Sequence, residues 1–202
     1  FSTDIIHIGM DEAYNLGRGH YLDENGLKSK PQIMLEHLDF MKGLCKKYGF
    51  KPIIWDDMFF MHYSNIEGES SFAIPDDIGL MYWDYYNCTR DHYAGRIKQR
   101  RSIAKQTMFA GGAWRWTGYM PHHKKTLEST IAALAACRQE DMRDVIVTSW
   151  SDDGSEAPFY TALFGVVLYA YLDYHADYVQ EEFSQYLRLY TGMGFDEWMR
   201  QG

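Results

Sequence analysis

Ile5-Ile6-His7-Ile8-Gly9-Met10-Asp11-Glu12 decides how the rest of the chain is read: a short, mostly β-branched run that stops on two adjacent carboxylates. Ile5, Ile6 and Ile8 favour extended backbone and stand just before a glycine-containing loop. The run is therefore predicted to be a buried strand that carries acid groups at its C-terminal end. In parallel α/β barrels the reacting groups stand at the C-terminal ends of strands, where two neighbouring side chains can reach different atoms of one substrate. A lone Asp-Glu pair would read as a solvated loop after a core strand. Here the same pattern returns along the chain.

Pro52-Ile53-Ile54-Trp55 is followed by Asp56 and Asp57, Gly79-Leu80-Met81-Tyr82 by Trp83 and Asp84, and Val145-Ile146-Val147-Thr148 by Trp150 and Asp152. Met108-Phe109-Ala110 passes two glycines and reaches Trp114 and Trp116. Several such ends converging would line a cup with indole faces and carboxylates. That combination holds sugars, because aromatic faces pack on the C–H face of a pyranose while acids accept hydrogen bonds from its hydroxyls.

The remaining composition narrows the class. The 202 residues, 46% hydrophobic and 16% aromatic, suffice for a sizeable core and are expected to form one globular domain. A net charge of −8 with no Lys/Arg stripe argues against nucleic acid or an anionic membrane as partner; Arg100-Arg101 and Lys124-Lys125 read as solvated helix faces. The longest uncharged run, Ala157 to Leu172, is shorter than the ~20 residues of a membrane-spanning helix and is expected to be a buried helix. Cys45, Cys88 and Cys137 are odd in number and widely spaced, which suggests reduced core thiols rather than a disulfide framework or a zinc site. A cytoplasmic location is expected over a secreted one, and the start at Phe1 carries no targeting information. The histidines show no ligand spacing, so no metal or other cofactor is expected.

Helix-period segments separate the strand runs. Ser29 stands at capping-box spacing from Gln32, Met34, Leu38, Met41, Cys45 and Tyr48 share one face, and Gly49 is a stop. Thr89 to Lys105 is a weaker helix, Leu127 to Gln139 a stronger one, and Pro158 opens the next. A final amphipathic helix with Val179, Phe183, Tyr186, Leu187 and Tyr190 on one side closes at Gly192, leaving Phe195 and Trp198 for a short tail helix. Strand and helix alternate five times, which predicts parallel strands with right-handed crossovers. Gly9-Met10-Asp11-Glu12 puts two negative charges where a doubly wound nucleotide fold would cradle phosphate, so the barrel is the better reading. A complete barrel takes ~250 residues, so five units correspond to its last five-eighths.

His7-Ile8-Gly9-Met10-Asp11-Glu12 resembles the His-x-Gly-x-Asp-Glu signature of the family 20 glycoside hydrolases, the exo-acting β-N-acetylhexosaminidases. Later positions fit in order over roughly three-quarters of the chain. Trp55 is similar to the family's Trp after its fifth strand, Tyr82-Trp83-Asp84 to its Tyr-x-Asp element, Trp114 to a pocket Trp, and Trp150-Ser151-Asp152 to its Trp-x-Glu element. Two departures stand out. The last acid is Asp152 beside Asp153 rather than Glu, and the family's first-strand Arg has no counterpart.

The resemblance implies an α/β fold, a partial TIM (β/α)8 barrel of strands four to eight with C-terminal helices, spanning residues 1–202 as a catalytic domain truncated at its N-terminus. It implies retaining, substrate-assisted hydrolysis of terminal β-linked N-acetylglucosamine or N-acetylgalactosamine, with Glu12 as acid and then base, Asp11 holding the acetamido N–H, and Tyr82 donating to the acetamido oxygen. His7, Trp55, Asp84, Trp114, Trp150 and Asp152 would bind the sugar. The expected partner is an oligosaccharide or glycoconjugate ending in N-acetylhexosamine. Two other functions fit the same cup: a non-catalytic carbohydrate-binding or interaction module, and a two-carboxylate retaining glycosidase using Asp84 or Asp152 as second acid. Five units leave two open sheet edges, so either an N-terminal segment of the same protein or another copy is expected to cover them, and the 202 residues alone are expected to be weakly active or inactive.

Overall fold

The computed structural model describes residues 2–60, 74–152 and 156–202. Five strands, β1 (Ile5–His7), β2 (Lys51–Trp55), β3 (Gly79–Trp83), β4 (Gln106–Gly112) and β5 (Val145–Thr148), form one parallel sheet in chain order. Helices α1 (His20–Asn25) and α2 (Lys30–Tyr48) follow β1, α3 (Asp57–Phe60) follows β2, α4 (Arg90–Arg101) follows β3, and α5 (His123–Gln139) follows β4. After β5 come a 3₁₀ turn (Phe159–Ala162) and helices α6 (Leu163–Tyr174), α7 (Gln180–Thr191) and α8 (Phe195–Met199). The architecture is α/β, as the alternation of patterns predicts. Among the described residues, no helix is long and apolar enough to cross a membrane.

The chain divides into two compact units. Residues 1–83 with 99–108 make the first, and residues 84–98 with 109–202 the second, so β4 begins in one and ends in the other. In the first unit Ile5 pairs with Lys51 and Ile53 with Gly79. Met34 and Leu38 of α2 pack with Ile54, Met58, Ile78, Leu80 and Ala104. The α2 boundaries follow their local chemistry: the Ser29 Oγ accepts the Gln32 backbone N–H at 3.3 Å, Pro31 occupies the first turn, and Gly49 takes the left-handed conformation at φ 77°. Tyr48, placed by periodicity on the buried face, is exposed instead, because the helix ends there and leaves nothing beyond it to pack on.

In the second unit Phe109 pairs with Val145 and Gly112 with Thr148. Its core is aromatic: Phe164, Tyr171, Phe183 and Trp198 are fully buried, with Leu134, Leu168, Leu172 and Leu187 among them. Trp198 of α8 donates its indole N–H to the Thr191 hydroxyl at 2.9 Å, which anchors the tail to the end of α7. The uncharged run from Ala157 is not one buried helix. It opens with the 3₁₀ turn, where Phe159 and Tyr160 are exposed, and only α6 is buried along one side.

Cys88, expected in the core, is exposed, and a further expectation is overturned. The first run does form a strand, but not a buried one: Ile5 is 45% and Ile6 39% exposed. Position explains this, since β1 is at the end of the sheet order and pairs with β2 alone among the described strands. At an edge, β-branched residues retain their extended backbone without gaining cover.

Candidate active site

Strand parity distributes the side chains. Along β2, Ile54 belongs to the core under α2, so Asp56, two residues on, turns the same way, while Ile53, Trp55 and Asp57 turn to the opposite face. Asp56 accordingly meets Arg100 of α4, whose Nε donates to its carboxylate at 2.7 Å. Arg100 is itself buried, its guanidinium stacked 3.9 Å from the Phe60 ring centroid and 4.3 Å from that of Tyr82. Burial pushes the Asp56 carboxyl up to about 6, against the pull of Arg100.

Tyr82 shares parity with Leu80, which explains its position. It is 2% exposed and lies under Arg100 on the helix side of β3. Trp83, one residue on, turns to the other face and donates its indole N–H towards Asp57 at 3.4 Å.

The acid loop leaves β1 in a conformation that side chains seldom adopt. Gly9, Met10 and Glu12 all have positive φ, at 75°, 77° and 49°. For Met10 and Glu12 this costs of order 1–3 kcal/mol each and must be held by surrounding structure. The holding bonds are identifiable: Trp55 N–H donates to the Gly9 carbonyl at 3.0 Å, Gly9 N–H to His7 Nδ1 at 3.1 Å, and Glu12 N–H to Asp57 at 2.8 Å. Asp11 and Glu12 end up side by side in sequence and exposed. The Tyr14 hydroxyl donates to Glu12 Oε1 at 2.8 Å. His7 is exposed on one side, with Trp55 covering the other at 4.3 Å between ring centroids. Desolvation lowers its pKa, partly opposed by the Asp11 charge. Because Nδ1 accepts from Gly9, the neutral ring carries its proton on Nε2.

The second unit gathers the indoles. Trp114 and Trp116 stack at 4.4 Å, both buried, and the Trp114 N–H donates to the Tyr85 carbonyl at 2.8 Å. The Trp150 indole N–H donates to the Tyr85 hydroxyl at 3.0 Å, and the Tyr85 ring meets Trp116 edge-on at 5.3 Å. The paired glycines of β4 make this packing fit. A Cβ at Gly112 would lie 2.7 Å from the Trp116 ring and 2.9 Å from Tyr85, and one at Gly111 would collide with the Tyr169 hydroxyl. Below the indoles, Arg115 donates to the Trp150 carbonyl at 2.8 Å, the Ser151 hydroxyl at 2.5 Å and the Ala157 carbonyl at 2.7 Å.

The residues named from sequence thus divide. His7, Asp11, Glu12 and Trp55 come together around one loop, and Trp114 and Trp150 come together around Tyr85. Tyr82 is buried under Arg100. Asp84 is engaged by α4 and the residues that lead into it: His92 Nε2 lies 2.9 Å from it, the Asn87 amide donates at 3.0 Å and Tyr86 N–H at 3.0 Å. Asp152 is exposed, and Asp153 lies outside the described residues. Sequence reading passed over Tyr14, Tyr85 and the site-side role of Asp57. Parity was the available signal for the last, since Asp57 follows Trp55 by two. Neither the known protein-family models nor the curated proteins searched give a match to this chain.

Proposed function

We propose that the chain carries the acid-bearing part of a retaining β-N-acetylhexosaminidase barrel, its five strands standing for strands four to eight. The observation that carries this reading is the Gly9–Glu12 loop. It stores backbone strain at the C-terminal end of a parallel strand to present two neighbouring carboxylates, and strain of that kind collects where chemistry needs fixed geometry.

In the proposed reaction Glu12 gives its proton to the glycosidic oxygen as the C1–O bond breaks, while the substrate's acetamido oxygen bonds to C1 from the opposite face. Asp11 holds the acetamido N–H and stabilises the positive charge of the oxazolinium. A water then loses a proton to Glu12 and adds to C1, opening that ring, so two inversions give net retention. The Tyr14 hydroxyl on Oε1 keeps Glu12 in one orientation through both steps. Tyr82 is the proposed donor to the acetamido oxygen, its ring held in place under the Arg100 guanidinium. Trp55, Trp114, Trp150, His7, Asp84 and Asp152 remain the proposed sugar contacts.

Glu12→Gln in the full-length protein should lower turnover of a chitobiose-type disaccharide by ~10²–10⁴ with little change in KM, since that is the usual loss on removing a general acid. Wild-type rates in that variant would sink the assignment. Replacing the 2-acetamido group by hydroxyl in the substrate should be about as damaging as Asp11→Asn. A plain β-glucoside cleaved equally fast would favour the two-carboxylate mechanism.

A further inference from the structure

We propose that Asp57 is a positioning residue for the general acid: its two carboxylate oxygens tie the Glu12 backbone and the Trp83 indole together and so fix where the Glu12 side chain points. This rests on the hydrolase reading of the same loop. Asp57 is buried at the end of β2 and the start of α3, with Oδ2 taking the Glu12 N–H at 2.8 Å and Oδ1 facing the Trp83 Nε1–H at 3.4 Å. Both neighbours are donors, so the site requires an acceptor on each side, and a carboxylate supplies both where an amide supplies one.

The need for the tie follows from the backbone. Glu12 has φ 49°, a conformation a non-glycine residue leaves readily unless its N–H is held. Without the bond to Asp57, relaxation of φ would swing the Glu12 carboxyl away from its Tyr14 hydroxyl and from the leaving oxygen. Burial raises the Asp57 pKa, the hydrogen bonds from Glu12 and Trp83 oppose that, and the nearby Asp11 charge adds to it.

Leaving-group dependence in the full-length protein tests the role. Asp57→Asn should slow kcat on phenyl β-N-acetylglucosaminide, whose leaving group requires protonation, by roughly 10²-fold, because a displacement of about 1 Å in a reacting group has that effect. On the 2,4-dinitrophenyl glycoside, which departs without acid help, kcat should stay within a few-fold, and KM should change little on both. Trp83→Phe removes the second donor, so in that background the asparagine can turn its carbonyl to Glu12 and its NH2 to the phenyl ring. Asp57→Asn should then lose only a few-fold more than Trp83→Phe alone. Equal losses on both glycosides, or no relief in the Trp83→Phe background, would show a merely structural role and overturn the inference while leaving the hydrolase reading intact. A wild-type protein that cleaves neither glycoside overturns both. If Asp57→Asn does not fold, amide exchange of the wild type decides: the Glu12 N–H, in an exposed loop, should exchange roughly tenfold or more slower than an unstructured amide, and free exchange would overturn the tie.

Discussion

The end of β2 in the first unit buries charge where α6 to α8 in the second bury rings. Around the end of β2, Asp56, Asp57 and Arg100 are all enclosed, and their bonds run to a helix, an acid loop and an indole. Around α6 to α8, the enclosed groups are Phe164, Tyr171, Phe183, Trp198 and the neutral His123, which lies 4.6 Å from the Phe164 ring and 5.4 Å from that of Trp198. The physical difference is directionality. Hydrogen-bonded charges fix atoms to tenths of an ångström but return little net stability after desolvation, while ring packing stabilises broadly and positions loosely. A loop that must aim two carboxylates is therefore expected on the charged unit.

Removing one partner from each unit should separate the two modes. Arg100→Met leaves Asp56 buried and alone, a loss of about 3–5 kcal/mol at neutral pH. The loss should shrink at pH 5, because Asp56 can then take up a proton. Phe183→Ala leaves a cavity with a cost also of about 3–5 kcal/mol, but with no pH dependence. Urea denaturation of the full-length protein at pH 5 and 7.5 compares them. Equal pH dependence in both variants would break the contrast, and Asp56→Asn added to Arg100→Met should recover part of the stability.

The pH slopes of the two units should oppose each other. Burial pulls the His123 pKa down to about 4 from an ordinary 6.5, so the unfolded chain binds its proton first. Stability from this group is present above about pH 6.5 and is lost as pH falls towards 4, on the order of 3 kcal/mol in all. Asp56 is shifted the other way, from 3.8 to about 6, so the folded chain binds its proton more tightly and stability falls as pH rises through that range. Thermal midpoints of His123→Leu should therefore decline less between pH 6.5 and 4 than those of the wild type. An unchanged decline would show that His123 is not held neutral.

The smallest expected effect concerns Tyr82. Tyr82→Phe keeps the ring under Arg100 and should reduce kcat/KM on an N-acetylglucosaminide about tenfold, the scale of one hydrogen bond, with little change in stability. A loss of less than a factor of two would remove Tyr82 from the donor role.

The acid pair, the strand ends and most helix limits were legible before any coordinates, because they depend on near neighbours. Ser29 with Gln32 and Gly49 mark α2, Gly192 closes α7, and the change from strand to helix period locates β2 to β5. The bonds that hold Asp84 are equally local. It follows a strand end, and its partners Tyr86, Asn87 and His92 are close to it in sequence.

Sequence by itself determined which residues are extended, where the turns fall and that two acids follow the first strand, since these depend on propensity and spacing within a few positions. Tertiary structure alone decided which face each strand end presents and what meets it there. Ile5 and Ile6 are exposed because β1 lies at an edge, Tyr82 is buried because Arg100 arrives from α4, and Glu12 is held at positive φ because Asp57 stands opposite it, 45 positions away. Such pairings set the cost of a buried charge and the aim of an acid. They depend on strand order and parity together, which no short window of sequence contains.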